Sequence, residues 1–178
     1  MTLLALLLTL FATKSAAATG PLSMAASTQK KILVVRVGGS EARRYDIAVG
    51  TKAHQTPNGR FTVRHLIWNP SWVPPKEKWA KGKQPTPPGH PRNPMRGVKI
   101  FFQEPDYYIH GTNDEESIGS AASHGCIRMS EADATELARY LMDQSGLKKP
   151  DSWYDGVAEA GKPVSVQLPT GVPFAIGK

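Results

Sequence analysis

The sequence predicts a mainly β domain with one or two α-helices, and three observations lead there. Short runs rich in Val, Ile, Tyr and Phe recur from residue 31 to residue 110 and again near 164, each closed by Gly, Pro or Asn. Helical spacing of apolar residues is clearest in the single stretch from Ser130 to Gly146. With 15 prolines and 16 glycines in 178 residues, turns are favoured over long regular elements. An apolar content of 40% still allows one packed core without disulfides.

Taken in order, the chain opens with an unbroken apolar run at residues 3–12, too short to span a bilayer comfortably, followed by Ala16-Ala17-Ala18. Residues 1–18 are expected to be a secretory signal peptide cut at a small-residue site. An uncleaved N-terminal anchor or a start at Met24 are the alternatives, because no Lys or Arg precedes the run. Residues 19–29, small and polar, are expected to be a linker. Lys31 to Val37 is β-branched and ends at Gly38-Gly39, and Arg44 to Val49 resumes the pattern, so the two predict an antiparallel pair. Thr56-Pro57-Asn58-Gly59 is a strong turn signal before a strand from Phe61 to Trp68.

Between residues 69 and 97 the texture changes. Eight of the prolines fall here, with Trp72, Trp79 and six Lys or Arg against one acid, Glu77. Proline at that density excludes helix and central strand. A loop this long is either a solvated decoration or a basic, aromatic flap over a site. Val98 to Phe102 and Tyr107 to His110 predict two more strands around Glu104-Pro105-Asp106. Ser130 then suits a helix N-cap, with Asp133 in the first turn and Gly146 as terminator. Ala134, Leu137, Ala138, Leu141 and Met142 form its core-facing stripe. A second short helix is expected over 151–160 and a last strand over 164–168. The folded domain is expected over 30–169, with 170–178 a C-terminal tail.

The formal charge is +7, or +6 without Lys14 of the leader. Such an excess favours anionic partners. The sequence has no basic helix or nucleic-acid motif, so nucleic acid is not predicted, whereas a carboxylate-rich polymer would feel the same field. No segment after the leader approaches a membrane span, so an exported protein, at most peripheral to a membrane, is expected.

The chemistry concentrates between Tyr107 and Met129, which holds the chain's single cysteine, Cys126, and two of its five histidines, His110 and His124. A lone cysteine is commonly a small buried hydrophobe. This one lies beside Gly125, two residues before Arg128, with imidazole nearby, and that setting favours a nucleophile activated by a base. Glycine beside the sulfur lets backbone amides approach a reacting carbonyl.

His110-Gly111-Thr112, twelve residues before Ser123-His124-Gly125-Cys126-Ile127-Arg128, resembles the signature of the L,D-transpeptidase catalytic domain (the YkuD-like family) of bacterial cell-wall enzymes. The likeness extends upstream through residues 50–63 and Asn93-Pro94-Met95, with a slight lean to Gram-negative members. It implies a mixed-sheet β-sandwich with one or two α-helices. Cys126 would be the nucleophile and His110 the base, oriented by the Gly111 carbonyl. The Gly125 and Cys126 amides would form an oxyanion hole worth about 3 kcal/mol per well-placed donor. His124 would either donate to the substrate carbonyl or shape the turn, and Arg128 would hold a carboxylate or steady the loop. Ser123, Tyr108 and Asn113 complete the expected substrate contacts. The implied partners are peptidoglycan stem peptides, with a wall-anchored lipoprotein as one acceptor, and neither cofactor nor metal is called for.

Rival chemistries are weaker. His110, His124 and Cys126 are metal-ligand types, but no second cysteine or suitably spaced carboxylate completes a set. A cysteine amidase, an L,D-carboxypeptidase using water as acceptor, or a peptidoglycan-binding module without turnover would share parts of the same pattern.

Overall fold

The computed structural model describes residues 19–178, and the predicted leader lies outside them. Ten strands and two helices follow in the chain. They are β1 (Leu22–Ser27), β2 (Ile32–Val37), β3 (Ser40–Asp46), β4 (Val49–Gly50), β5 (Gly59–Trp68), β6 (Arg96–Gln103), β7 (Tyr107–Gly111), β8 (Ala121–Ser123), β9 (Ile127–Met129), α1 (Glu131–Gln144), α2 (Asp151–Glu159) and β10 (Val164–Gly177). Eight strands form one sheet in the order β3-β2-β1-β10-β5-β6-β7-β9, and β4 pairs with β8. β1–β10 and β7–β9 run parallel while their neighbours run antiparallel, so the sheet is mixed as expected. Leu33 of β2 and Ile109 of β7 are both fully buried in one core cluster although they lie on distant strands. β10 breaks register against β5 between Gln167 and Val172, an irregularity of the kind that bends a sheet.

Two boundary expectations are corrected. Residues 19–29 are not a linker: β1 pairs antiparallel with β2 and parallel with β10, burying Met24 and Ala26. Residues 170–178 are not a tail: β10 continues to Gly177 and buries Val172, Phe174 and Ile176. β1 is fixed by its neighbour β2 and by distant β10, and residues 172–177 by β5 and β1, and the pairings with β10 are long-range contacts that local propensity does not encode.

α1 packs on β6, β7 and β9 through the predicted stripe, all of it buried. Ser130 Oγ accepts the Asp133 amide at 3.0 Å, an N-cap worth about 1 kcal/mol. Gly146, at φ +83°, ends the helix, with its amide donating to Asp143 and that of Leu147 to Met142. Among the described residues no helix is long and apolar enough to cross a membrane.

Candidate active site

The site is built on the parallel pair β7–β9. Ile109 and Ile127 stand opposite each other and both point into the core. Because side chains alternate, His110 and Arg128 point to the other side, opposite one another in register. Cys126, immediately before β9, lies alongside Tyr108. The Cys126 and His110 backbones are thus diagonal neighbours, roughly 8 Å apart at Cα from strand spacing and rise. Both side chains line a pocket of about 1370 Å³ between this face of the sheet and residues 69–95.

His110 is buried, and its Nδ1 lies 2.8 Å from the Gly111 carbonyl. A carbonyl only accepts, so Nδ1 carries the proton and Nε2 is left as an acceptor. Burial pushes the imidazole down to about 4, and the charges of Arg128 and Lys99 act the same way against the Gly111 hydrogen bond. Gly111 also has no room for a side chain, since a Cβ would meet the Arg96 carbonyl at 2.6 Å.

The Cys126 thiol is half-buried and donates to the Asp106 carbonyl at 3.4 Å. Burial pushes it up to about 11, against the Tyr108 backbone and phenol and the positive charges of Lys99 and Arg128. At neutral pH both partners are uncharged in this geometry.

The turn before the sulfur is braced from within. Ser123 Oγ donates to the Cys126 carbonyl at 2.5 Å and accepts the Gly125 amide at 3.0 Å. The Gly125 amide is therefore engaged and not free to meet an oxyanion, which corrects that part of the expected pair. Ser123 is itself this brace, and although it reaches the pocket wall it is only 1% exposed there. Gly125 holds φ +112°, and a Cβ there would meet the Tyr107 ring at 2.7 Å. Glycine is required on both counts.

Arg128 Nη1 lies 3.2 Å from Asp114 Oδ2 and 3.4 Å from Ser117 Oγ, and its backbone exchanges hydrogen bonds with Ala48. Of its two expected roles, the geometry favours steadying the loop. Asn113 is exposed and reaches the Pro91 carbonyl at 3.4 Å, outside the pocket wall. It ties the base of the long loop instead of facing substrate. His124 projects from the braced turn and stacks on Trp79, with ring centroids 3.9 Å apart and planes 16° from parallel. His54 lies on its other side at 4.8 Å. Partial burial, His54 and Lys83 together hold His124 below the usual imidazole range.

That stack decides what residues 69–95 are. The loop is ordered by a Trp72–Thr86 bridge and by Asn93, fully buried, whose amide donates to the Pro70 and Pro87 carbonyls. Lys83 sits 5.0 Å from the Trp79 ring and 5.9 Å from that of Trp72. The loop lines the pocket with basic and aromatic side chains, the placement that the flap reading requires.

One pocket residue escaped the sequence reading. Lys99 of β6 stands directly opposite His110, donates to the Ser71 carbonyl at 3.1 Å and lies 4.7 Å over the Tyr108 ring. A lysine inside an otherwise apolar strand was the available signal. Among the described residues no group of three or more His, Cys, Asp or Glu is placed to hold a metal ion.

Residues 23–166 match the family model of the L,D-transpeptidase catalytic domain, YkuD. The protein named L,D-transpeptidase YkuD in Bacillus subtilis is 33% identical over 118 residues, 66% of this chain and 59% of that protein. Its counterpart in Bacillus licheniformis is 36% identical over 96 residues, 54% of this chain and 46% of the other. Among solved structures, L,D-transpeptidase 3 from Mycobacterium tuberculosis aligns with a TM-score of 0.55 and 15% identity, covering 88% of this chain and 61% of that one, a likeness of fold alone. The chain spans about half the length of the curated relatives it matches.

Proposed function

Because the chain belongs to the YkuD family of L,D-transpeptidase catalytic domains, we propose that it is a cysteine-dependent acyltransferase of the bacterial envelope acting on peptidoglycan stem peptides. The observation that carries this reading is the position of Cys126 just before β9 and of His110 on the neighbouring parallel strand β7, both lining one large pocket beside the basic loop. The apolar run at 3–12 and the small residues at 16–18 support export to the periplasm or cell envelope.

In the proposed reaction the His110 Nε2 accepts the thiol proton as the sulfur attacks the carbonyl of the third residue of a tetrapeptide stem. A thiol near 11 beside an imidazole near 4 disfavours a standing ion pair, so proton transfer accompanies the attack. The Cys126 amide meets the oxyanion, the Gly125 amide being engaged. Collapse breaks the C–N bond, and His110 returns its proton to the departing D-alanine amine, leaving a thioester. An acceptor amine then attacks, His110 takes its proton and the sulfur leaves. Another stem as acceptor yields a cross-link, a lipoprotein lysine an anchor, and water a trimmed stem.

Mass spectrometry of tetrapeptide muropeptides incubated with the protein separates these outcomes. Loss of D-alanine with dimers or amine adducts is expected, with a trapped thioester at Cys126. Cys126→Ala should abolish release while retaining the fold. Loss of D-alanine without any adduct would make it a carboxypeptidase, and turnover surviving in Cys126→Ala would end the cysteine reading.

A further inference from the structure

Positive charges approach the Cys126 sulfur from more than one element, and they are not equivalent. Arg128, on β9, is compensated by Asp114 at 3.2 Å. Lys99, on β6, lines the same pocket and has no carboxylate within ion-pair distance among the described residues. Its Nζ has only the Ser71 carbonyl and the Tyr108 ring face. Burial lowers its affinity for a proton, and among the groups that share its pocket wall Cys126 is the one that would carry a compensating negative charge on ionisation. A partly buried ammonium without an anion is costly, and it is kept where an anion forms or arrives.

The other groups facing the sulfur do not supply that charge. The Asp106 carbonyl accepts from the thiol, and the Asp106 carboxylate acts on Tyr108 against ionisation. Tyr108 presents its amide and phenol towards the sulfur and itself stays protonated, its pKa raised by burial and by Cys126. His110 is the proton acceptor, and His124 is turned to Trp79.

We propose that Lys99 is a further component of the acyl-transfer machinery: its uncompensated ammonium, seated over Tyr108 on the pocket wall that it shares with the sulfur, balances the negative charge on Cys126 when the thiol gives up its proton and when the thioester expels it. The inference rests on the cysteine reading above. No net charge is created, because the thiol proton moves to His110 and returns to the leaving amine. The same ammonium disfavours the imidazolium, so Lys99 keeps that proton in transit.

Alkylation of the sole cysteine by iodoacetamide tests this independently of turnover. Below the thiol pKa the rate follows the thiolate fraction, partly offset by the higher nucleophilicity of a more basic sulfur. Lys99→Met should therefore react about three- to tenfold more slowly than the wild type from pH 7 to 9, at an unchanged melting temperature. Lys99→Arg should restore the rate. A merely structural lysine predicts the opposite sign, since opening the pocket rehydrates the sulfur and speeds alkylation. An unchanged rate, with KM raised only for carboxylate-bearing donors, would make Lys99 a substrate contact and overturn the proposal. Neither result touches the cysteine reading, which fails only if Cys126→Ala still turns over.

Discussion

The two walls of the pocket are made in opposite ways. The sheet wall, β7 with β9, fixes each residue by ladder register, core packing beneath and a helix behind. The flap wall, residues 69–95, is held by the Trp72–Thr86 bridge, buried Asn93, aromatic stacking on His124 and isolated hydrogen bonds such as those from Lys99 to Ser71 and from Asn113 to Pro91. Rigid placement suits groups that must pass a proton over a fraction of an ångström, whereas a wall that admits a bulky polymer must open. On the reading proposed above, chemistry falls to one wall and admission to the other, and substitutions on the two should differ in kind.

The largest effect belongs to His110 on the sheet wall. His110→Ala should lower kcat by about a hundredfold to ten-thousandfold with little change in KM, as measured by D-alanine release. Acid tests the same residue. Its folded pKa, near 4, lies below the ordinary imidazole value of 6.5, so the unfolded chain binds the extra proton first as pH falls. Stability is complete above about 6.5 and declines through that window until the folded pKa near 4 is passed. The loss is about 3 kcal/mol, and His110→Asn should flatten this slope in melts taken from pH 7 to 4. The rate should hold to about pH 5 and fall near 4, lower than an unburied histidine would give. A rate that halves near 6.5 would show that His110 is not buried during turnover.

Next comes the brace. Gly125→Ala places a Cβ against Tyr107 at a positive φ and should cost about 1–3 kcal/mol in denaturant melts, with activity lost alongside. Stability unchanged with activity intact would mean the turn has slack that the register does not suggest. The smallest effect is expected on the flap. Trp79→Ala removes the stack on His124, worth about 0.5–1.5 kcal/mol. It should alter KM for polymeric wall more than for a short stem peptide, and lower the melting temperature by about 1–6 °C. A fall in kcat matching that of His110→Ala would erase the distinction between the walls.

The sequence made the sheet wall legible because its signals are local. Alternation gave β5 to β7, a capping serine and a terminal glycine gave α1, and the spacing of His110, Gly125 and Cys126 marked the site. What escaped was set by partners far along the chain. β1 is built of Leu, Ser, Met and Ala, a composition with little intrinsic strand preference, and is a strand because β2 and β10 flank it. The competition for the Gly125 amide by Ser123 Oγ, and for Arg128 by Asp114, depends on side-chain geometry that spacing alone leaves open. Lys99 is distinguished by its surroundings, one carbonyl and a ring face with no carboxylate in reach among the described residues, and these too are side-chain geometry.

β10 is the sole seam between β3-β2-β1 and β5-β6-β7-β9. The residues before Val164 already contain β7, with His110, and β9, next to Cys126, yet without β10 they form no continuous sheet. Val172 to Ile176 pair with β5 and Phe174 to Gly177 pair with β1, so one short stretch couples the half of the sheet that carries those two side chains to the half that does not.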